Sequence, residues 1–198
     1  MMRYESAACV RPSANQAYIT GVGENRKETW KWDPESGWKQ CADMNQGRRR
    51  HCVAFGNSTS MYVLGGVDSD QEPWILLDSI EEYDVEANRW TEVARLMNPT
   101  CYAACVSHNN SIYVFGGRGD LFSKSSLRRV QVFNTTSRVF SELAQSLPRP
   151  MQMLRAVQWD RSVVIFGTHD CVTFDLELKT FRARHQFATK ACYFKCLR

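Results

Sequence analysis

One stretch of the sequence decides the fold: Met61-Tyr62-Val63-Leu64-Gly65-Gly66. It recurs 51 positions later as Ile112-Tyr113-Val114-Phe115-Gly116-Gly117. Weaker copies lie on either side, at Ala17-Tyr18-Ile19-Thr20-Gly21 and at Val163-Val164-Ile165-Phe166-Gly167. Self-similarity at a period of about 50 residues indicates a repeat architecture, in which single units cannot bury their own faces. The chain therefore contains four repeats.

Two further landmarks keep the same period. After each glycine turn stands an aromatic residue that is followed directly by an acid or an amide. A second aromatic residue lies six or seven positions after the first. The four copies are Trp32-Asp33 with Trp38, Tyr83-Asp84 with Trp90, Phe133-Asn134 with Phe140, and Phe174-Asp175 with Phe181. Before each glycine, a small residue precedes valine. These pairs are Cys9-Val10, Cys52-Val53, Cys105-Val106 and Ala156-Val157.

Each repeat predicts four short strands. The first strand runs into the small-residue pair, and the β-branched and aromatic run that ends in glycine is the second. The aromatic-acid motif lies in the third strand, and the second aromatic begins the fourth. No segment of helical length shows apolar residues at helical spacing. We expect an all-β fold in which the four sheets pack radially as a β-propeller.

The glycine doublet, the Tyr-Asp motif and the trailing tryptophan resemble the kelch repeat. The resemblance covers about residues 3–181, and these motifs are similar to those of the kelch domains of BTB-kelch (kelch-like) proteins. The second repeat matches most fully, through Arg48-Arg49-Arg50-His51, the Gly65-Gly66 doublet and Tyr83-Asp84 with Trp90. The first and fourth repeats depart from the pattern, because each lacks the doublet.

The repeats divide the chain into a propeller at 1–181 and a basic tail at 182–198. Repeat boundaries fall at about 3–44, 45–97, 98–148 and 149–181. Since propellers of the BTB-kelch kind have six blades, the resemblance predicts a partial propeller: a fragment, an isoform or a degenerate copy. A closed four-bladed propeller is the alternative, because four-bladed rings are physically permitted.

Composition sets broad limits on function. Hydrophobic residues make up 43% of the 198 positions and charged residues 23%, as in ordinary globular proteins. No run approaches the roughly 18 apolar residues of a membrane span, and no signal core follows Met1, so we expect a cytoplasmic protein without membrane contact. The charge of +4 comes from the C-terminal region. That region is either solvated or a contact for an acidic partner, and without a nucleic-acid motif no nucleic acid is expected.

The residues that could carry chemistry are scattered. Three of the eight cysteines share one repeat position, where a small buried side chain fits, and there is no Cys-x-x-Cys. The four histidines lie at different phases of the repeat or in the tail. Some kelch-like propellers are copper oxidases, but the chain offers no cluster of histidines and tyrosines for that chemistry. We therefore expect no metal, no cofactor and no enzymatic activity, a galactose-oxidase-like enzyme being the disfavoured alternative.

The resemblance implies where a protein partner binds. In kelch proteins the binding face is built by the loops after the glycine turns and those leading into each first strand. Position by position, these loops supply Glu24, Asp68, Arg118 and His169, and Arg48, Arg49, Arg50, Tyr102 and Gln152. The arginine run either binds an acidic peptide or solvates a turn. In the longer loops, Trp74 and Phe122 are candidate contacts, whereas Ile75–Leu77 are expected to fold back on the blade.

Three functions follow from the resemblance. The first is a protein-protein interaction module similar to the substrate-recognition domain of a cullin-RING ubiquitin ligase adaptor. A cullin would bind only through a longer form, because the sequence has no BTB region. The second is an actin- or cytoskeleton-binding kelch protein, and the third is the oxidase already disfavoured.

Overall fold

Every repeat folds as a four-stranded antiparallel sheet, or blade. The computed structural model describes residues 7–11, 14–68, 73–122, 125–168 and 170–186. In the first blade the strands follow chain order from the inside outward: β1 (Ala7–Arg11), β2 (Gln16–Val22), β3 (Glu28–Asp33) and β4 (Gly37–Gln40). In the second blade, β5 (Cys52–Phe55) and β6 (Ser60–Leu64) are followed by a two-stranded hairpin, β7 (Val67–Asp68) with β8 (Ile75–Leu76). That blade is completed by β9 (Ser79–Asp84) and β10 (Arg89–Arg95).

The third and fourth blades repeat the same order. The third consists of β11 (Ala104–His108), β12 (Ser111–Phe115), β13 (Val130–Asn134) and β14 (Phe140–Glu142). The fourth consists of β15 (Arg155–Trp159), β16 (Ser162–Phe166), β17 (Asp170–Asp175) and β18 (Thr180–Gln186). The all-β four-bladed prediction is confirmed. Strand β18 continues five residues past the predicted boundary at 181, so the start of the predicted tail belongs to the fourth blade, and residues 187–198 lie outside the described residues.

The aromatic-acid motif has a local physical cause. Its two aromatic residues pair across the hairpin between the third and fourth strands, with ring centroids 5.0 Å apart for Tyr83 and Trp90 and 4.9 Å for Phe133 and Phe140. The acid or amide between them closes the turn. Asp84 Oδ1, for example, accepts hydrogen bonds from the amides of Glu86 and Ala87, each at 2.9 Å. Such side-chain turns are what Asp and Asn favour, so the motif specifies this hairpin.

Apolar cores lie between consecutive blades rather than within them. Tyr18, Met61 and Tyr83 belong to the core between the first and second blades. The core between the second and third contains Leu64 and Phe133, and that between the third and fourth contains the side chains Phe115, Val130, Val163, Ile165 and Phe174. Within the described residues, no core of this kind joins the fourth blade to the first.

Cysteines contribute to these cores as small apolar side chains. All six cysteines of the described residues are free thiols, and Cys52 and Cys101 are buried. Cys105 donates its S–H to the carbonyl of Val53 in the preceding blade, at 3.4 Å. Burial raises the pKa of the Cys9 thiol to about 12 and that of Cys101 to about 11. These thiols are therefore protonated at neutral pH and act as packing groups.

Candidate functional site

A cavity of about 390 Å³ lies where the inner strands of the four blades meet. Its wall combines small side chains with a few large polar ones: Ala7, Ala8, Arg50, His51, Cys52, Val53, Tyr102, Ala103, Ala104, Cys105, Leu154, Arg155 and Ala156. The small side chains leave the cavity open, because they do not fill the space between the inner strands. The two arginines give it a positively charged wall.

Backbone hydrogen bonds connect the blades around this cavity. The carbonyl of Arg50 accepts from the amide of Tyr102 at 3.0 Å, and the carbonyl of Tyr102 accepts from the amide of Leu154 at 3.2 Å. Both accepting residues are left-handed, with φ of 59° for Arg50 and 57° for Tyr102, and Met153 repeats this conformation at 54°. Because left-handed backbone is uncommon for such side chains, the inter-blade bonds fix it here. The loops at the cavity are held rigidly in register.

Two arginines and two aromatic residues form an arginine–aromatic cluster beside the cavity, consisting of Arg49, Arg50, Trp74 and Tyr102. The guanidinium carbon of Arg49 lies 5.0 Å from the centroid of the Trp74 ring, and that of Arg50 lies 5.1 Å from it. Arg50 also lies over Tyr102, at 4.7 Å. Contacts of this length are cation–π interactions, which restrict the long arginine side chains. A guanidinium held over a ring can still donate from its N–H edges to a carboxylate.

Backbone pairing across the loops brings the cluster together. Arg49 exchanges two hydrogen bonds with Val67, at 3.0 and 2.9 Å, and so joins the loop before β5 to the hairpin β7–β8. Trp74 immediately precedes β8, which is paired to β7. The register of this hairpin therefore delivers the indole to the two guanidinium groups. Next to it, Ile75 is 50% exposed while Leu77 is buried, so only part of the apolar run folds back on the blade.

Arg48 is a correction to the predicted contact set. Its side chain is completely buried, and its guanidinium donates to Glu81 at 2.7 Å in an ion pair whose members are both enclosed. The same guanidinium donates to the carbonyls of Gly65 and Ser79, at 2.8 and 3.1 Å. Burial lowers the pKa of Arg48, and the charge of Glu81 opposes that effect. Arg48 therefore anchors the loop to the second blade and is not available to a partner.

Glu81 completes this anchor from the third strand of the blade. Besides the guanidinium, its carboxylate accepts from the backbone and side-chain amides of Asn45, at 2.7 and 2.8 Å, and from the amide of Gln46 at 3.2 Å. Gln131 occupies the equivalent position in the third blade and bonds to the backbone of Asn98 in both directions, at 3.0 Å. A polar residue in the third strand thus fastens the linker that enters its own blade.

The remaining predicted residues occupy neighbouring loops. Asp68 lies in β7 and accepts from the side chain of Gln46 at 3.4 Å. The backbone of Arg118 pairs with that of Cys101, beside Tyr102, and its guanidinium donates to the carbonyl of Leu121 at 3.2 Å. Phe122 is 85% exposed. Asp68 thus lies in the hairpin next to Trp74, and Arg118 pairs with the neighbour of Tyr102, so both lie in loops that adjoin the cluster.

Three other predicted positions have no described contact with the arginine–aromatic cluster. Glu24 is exposed in the turn after β2. The side chain of Gln152 is half-buried, and its Oε1 atom is enclosed with no hydrogen-bond partner within the described part of the chain. His169 lies outside the described residues. Its predicted role therefore stays a prediction.

Arg155 is a cavity residue that the sequence reasoning missed. It is the first residue of β15, one position before the small residue Ala156, and its guanidinium donates to the carbonyl of Leu154 at 2.8 Å. Its position before the small-residue pair could have marked it, since His51 and Ala104 stand at the same place in their repeats and also line the cavity. The second arginine of the cavity wall thus comes from the fourth blade.

The comparisons with known proteins agree with this architecture. The family model of the kelch motif matches residues 48–97 and 99–146. Kelch-like protein 35 of Mus musculus is 28% identical over 167 residues, covering 83% of this chain and 27% of that protein. Kelch repeat and BTB domain-containing protein 4 of Macaca fascicularis is 28% identical over 181 residues, covering 89% of this chain and 32% of that protein. The chain spans about a third or less of these relatives.

A solved structure supports the fold independently. The structure of YjhT superposes with a TM-score of 0.77 over 93% of this chain and 65% of that chain. At 16% sequence identity, this likeness shows the fold alone. Four blades built on one strand order, with cores between them and glycine turns at their ends, define a β-propeller. The chain is a kelch-repeat β-propeller, and its relatives include kelch-like and BTB-kelch proteins.

Among the described residues, no helix is long and apolar enough to cross a bilayer.

Proposed function

We propose that this propeller is a protein-interaction module that binds an acidic segment of its partner at the arginine–aromatic cluster. The observation that supports this most directly is the stacking of Arg49 and Arg50 on Trp74. It holds two positive charges side by side next to a cavity wall that contains a third, Arg155. Arginine and tryptophan are the side chains that most often anchor interfaces, and loops on a rigid scaffold commonly carry recognition.

Charge and shape support an acidic partner. A planar guanidinium presents a fork of N–H donors that matches a carboxylate, and a ring on its face limits the entropy lost on binding. A flexible acidic peptide fits a cluster beside a narrow cavity, because one side chain can enter while its neighbours lie along the arginines. The inter-blade hydrogen bonds at Arg50 and Tyr102 keep the surface in place for this.

Peptide binding tests this role directly. The probe is a fluorescein-labelled ten-residue peptide of alternating Glu and Ser, and its affinity is measured by fluorescence anisotropy at two salt concentrations. We expect the double variant Arg49→Gln with Arg50→Gln to weaken binding by about tenfold or more, as losing an interface anchor does. Trp74→Ala should also weaken it, because the guanidinium groups lose the ring that orients them.

A matched control separates this site from general charge attraction. Arg89→Gln with Arg161→Gln removes the same charge from two exposed arginines of β10 and the β15–β16 turn. We expect that variant to bind the peptide as the unaltered protein does, apart from a small salt-dependent change. Equal losses in the two double variants, or no binding of the peptide by the unaltered protein, would contradict the proposal.

Within this role, we propose that the module selects substrates for a cullin-RING ubiquitin ligase adaptor, in an assembly that contains a BTB region. The similarity to a kelch repeat and BTB domain-containing protein supports this assignment. Affinity purification from cells followed by mass spectrometry tests it, with the chain expressed alone and fused to a BTB region. Cullin subunits recovered only with the fusion are the expected result. Co-sedimentation with filamentous actin, with no cullin in either sample, would overturn it in favour of a cytoskeletal role.

A further inference from the structure

Two cysteine side chains face each other across the core between the second and third blades. Cys52 of β5 is paired with Leu64, and both are buried in that core. Cys105 of β11 is paired with Val114, and both pack in the same core. Because alternate residues of a strand point to opposite faces, Cys52 lies on the face of its blade that meets the third, and Cys105 on the face that meets the second. The two thiols therefore share one inter-blade core.

Hydrogen bonds fix the two inner strands around this pair. The amide of Tyr102, three residues before Cys105, donates to the carbonyl of Arg50 at 3.0 Å. Cys105 donates its S–H to the carbonyl of Val53, the neighbour of Cys52, at 3.4 Å. The thiols of Cys52 and Cys105 also share a hydrogen bond. Thiols in direct contact can be joined as a disulfide without any change in which strands are neighbours.

Small molecules can reach the pair through the cavity between the inner strands. Cys52 and Cys105 both line this cavity, whose volume is about 390 Å³. Cys52 is 5% exposed, and Cys105 is half-buried. A space of this size holds several water molecules, so it also admits a small peroxide.

Two other cysteines differ from this pair in position. Cys9 donates to the Sδ atom of Met61, at 3.4 Å, in the core between the first and second blades. Cys101 is 1% exposed and is not part of the cavity wall. Neither therefore combines a thiol partner in the next blade with access from the cavity, and both serve as internal controls.

We propose that Cys52 and Cys105 form a modification site, at which hydrogen peroxide produces a disulfide between the second and third blades. The hydrogen bond with Cys52, together with burial, raises the pKa of the Cys105 thiol, which stays protonated. Since the thiolate is the nucleophile in such oxidations, Cys52 is the residue that attacks the peroxide and Cys105 the residue that resolves the product.

The reaction proceeds in two steps. The Cys52 sulfur gives up its proton and attacks one peroxide oxygen, the O–O bond breaks, and the departing hydroxide takes the proton and leaves as water. Cys52 is then a sulfenic acid. The Cys105 sulfur attacks the Cys52 sulfur, so that the S–S bond forms, the S–O bond breaks, and the hydroxyl group leaves as water with the Cys105 proton. The two sulfur atoms together lose two electrons, and the peroxide is reduced to two molecules of water.

The disulfide acts on the strands that carry the arginine–aromatic cluster. Cys52 lies two residues after Arg50, and Cys105 lies three residues after Tyr102. The bond closes a loop of about 50 residues and so restricts the unfolded chain. Oxidation therefore stabilises the second and third blades against separation.

Disulfide mapping by mass spectrometry tests the site in the full chain. The protein is treated with hydrogen peroxide, alkylated, and digested with trypsin without reduction. We expect peptide 51–89 to be linked to peptide 96–118 through Cys105, with Cys101 alkylated. Cys105→Ala should abolish the link, whereas Cys101→Ala, the matched control, should keep it. Alanine fits at position 105, because Ala156 takes the equivalent place in the register of the fourth blade.

Two further measurements follow the chemistry and its effect. Dimedone, which traps sulfenic acids, should label Cys52 in Cys105→Ala, where no resolving thiol is present. Oxidation should raise Tm by roughly 5–10 °C in the unaltered protein and in Cys101→Ala, but not in Cys105→Ala.

Several results would overturn the proposal. These are a link from Cys52 to Cys9 or Cys101, a link between two chains, or two free thiols at Cys52 and Cys105 after peroxide treatment of the folded protein. Absence of the dimedone label from Cys52 in Cys105→Ala would contradict the order of the two steps. An unchanged Tm in protein that carries the mapped disulfide would contradict the stabilisation.

Discussion

His51 should make the stability of this protein fall as the pH is lowered from 7 to 5. The imidazole is 6% exposed in the loop leading into β5, and it shares a hydrogen bond of 2.8 Å with Thr20 Oγ1 of the first blade. Burial, helped by the positive charge of Arg48, lowers the pKa of His51 from 6.5 to about 3. The folded protein therefore keeps His51 neutral at pH values where the unfolded chain binds a proton.

The size of the effect follows from proton linkage. Between pH 6.5 and 3 the unfolded state binds more protons than the folded state, so the free energy of unfolding decreases as the pH falls through 6.5. For these two pKa values the loss between pH 7 and pH 5 is about 2 kcal/mol. For a chain of this size, that corresponds to a decrease in Tm of roughly 4–8 °C. The pKa values of Asp33 and Asp175 are lowered by hydrogen bonds, so the stability that these carboxylates contribute is lost at lower pH.

Urea unfolding at half-unit steps of pH, followed by tryptophan fluorescence, measures this loss. His51→Gln keeps a side chain that can bond to Thr20 but does not titrate, so we expect its free energy of unfolding to change little between pH 7 and 5. His108→Gln, at a half-buried histidine of β11, is the matched control for the loss of one histidine. A pH profile that is flat in the unaltered protein, or equally steep in His51→Gln, would refute the assignment.

Two further predictions concern the buried polar anchor and the glycine turns. Arg48→Ala should lower the free energy of unfolding by about 3–5 kcal/mol, because it leaves Glu81 buried without its cation, whereas Arg95→Ala, in an exposed ion pair, should cost less than about 1 kcal/mol. Comparable losses in urea unfolding would contradict this distinction. Gly66→Ala should be far more destabilising than Gly37→Ala, since both glycines have positive φ but only at Gly66 would a Cβ lie 2.7 Å from the carbonyl oxygen of Arg49. Similar thermal denaturation curves for the two alanine variants would show that strain, not crowding, governs these turns.

Local chemistry explains why the strands, the turns and the four blades could be predicted from the sequence. The repeat of small residue, glycine and aromatic-acid motif specifies strands and turns through interactions within about ten residues, such as the bonds from Asp84 to the amides after it. The alternation along β12 likewise places Tyr113 and Ile112 on opposite faces of the sheet. Pattern alone was therefore sufficient for the four blades and for their order.

The candidate site could be predicted only in part. The repeat phase of Arg50 and Tyr102 placed both in loops leading into first strands, and the structure brings them together. The contact of Arg49 and Arg50 with Trp74 depends on the pairing of Arg49 with Val67, which joins the linker to a hairpin 18 residues away. No local pattern in the sequence encodes that pairing. Arg155, by contrast, stands at the same repeat position as His51 and Ala104, so the repeat itself could have placed it at the cavity.

The sequence by itself determined the strands, the turns, the four-blade count and the apolar character of the blade faces, because these depend on neighbours along the chain. Tertiary structure decided which arginine of a consecutive run is buried and which are presented. Arg48 is buried with Glu81 because the linker is fastened to its own blade, while Arg49 and Arg50 lie over the rings because the hairpin and the next blade set their backbone. Adjacent residues of one type thus acquire opposite roles, since the environments of these three side chains depend on contacts with the blade, the hairpin and the next blade, which a run of identical residues does not encode.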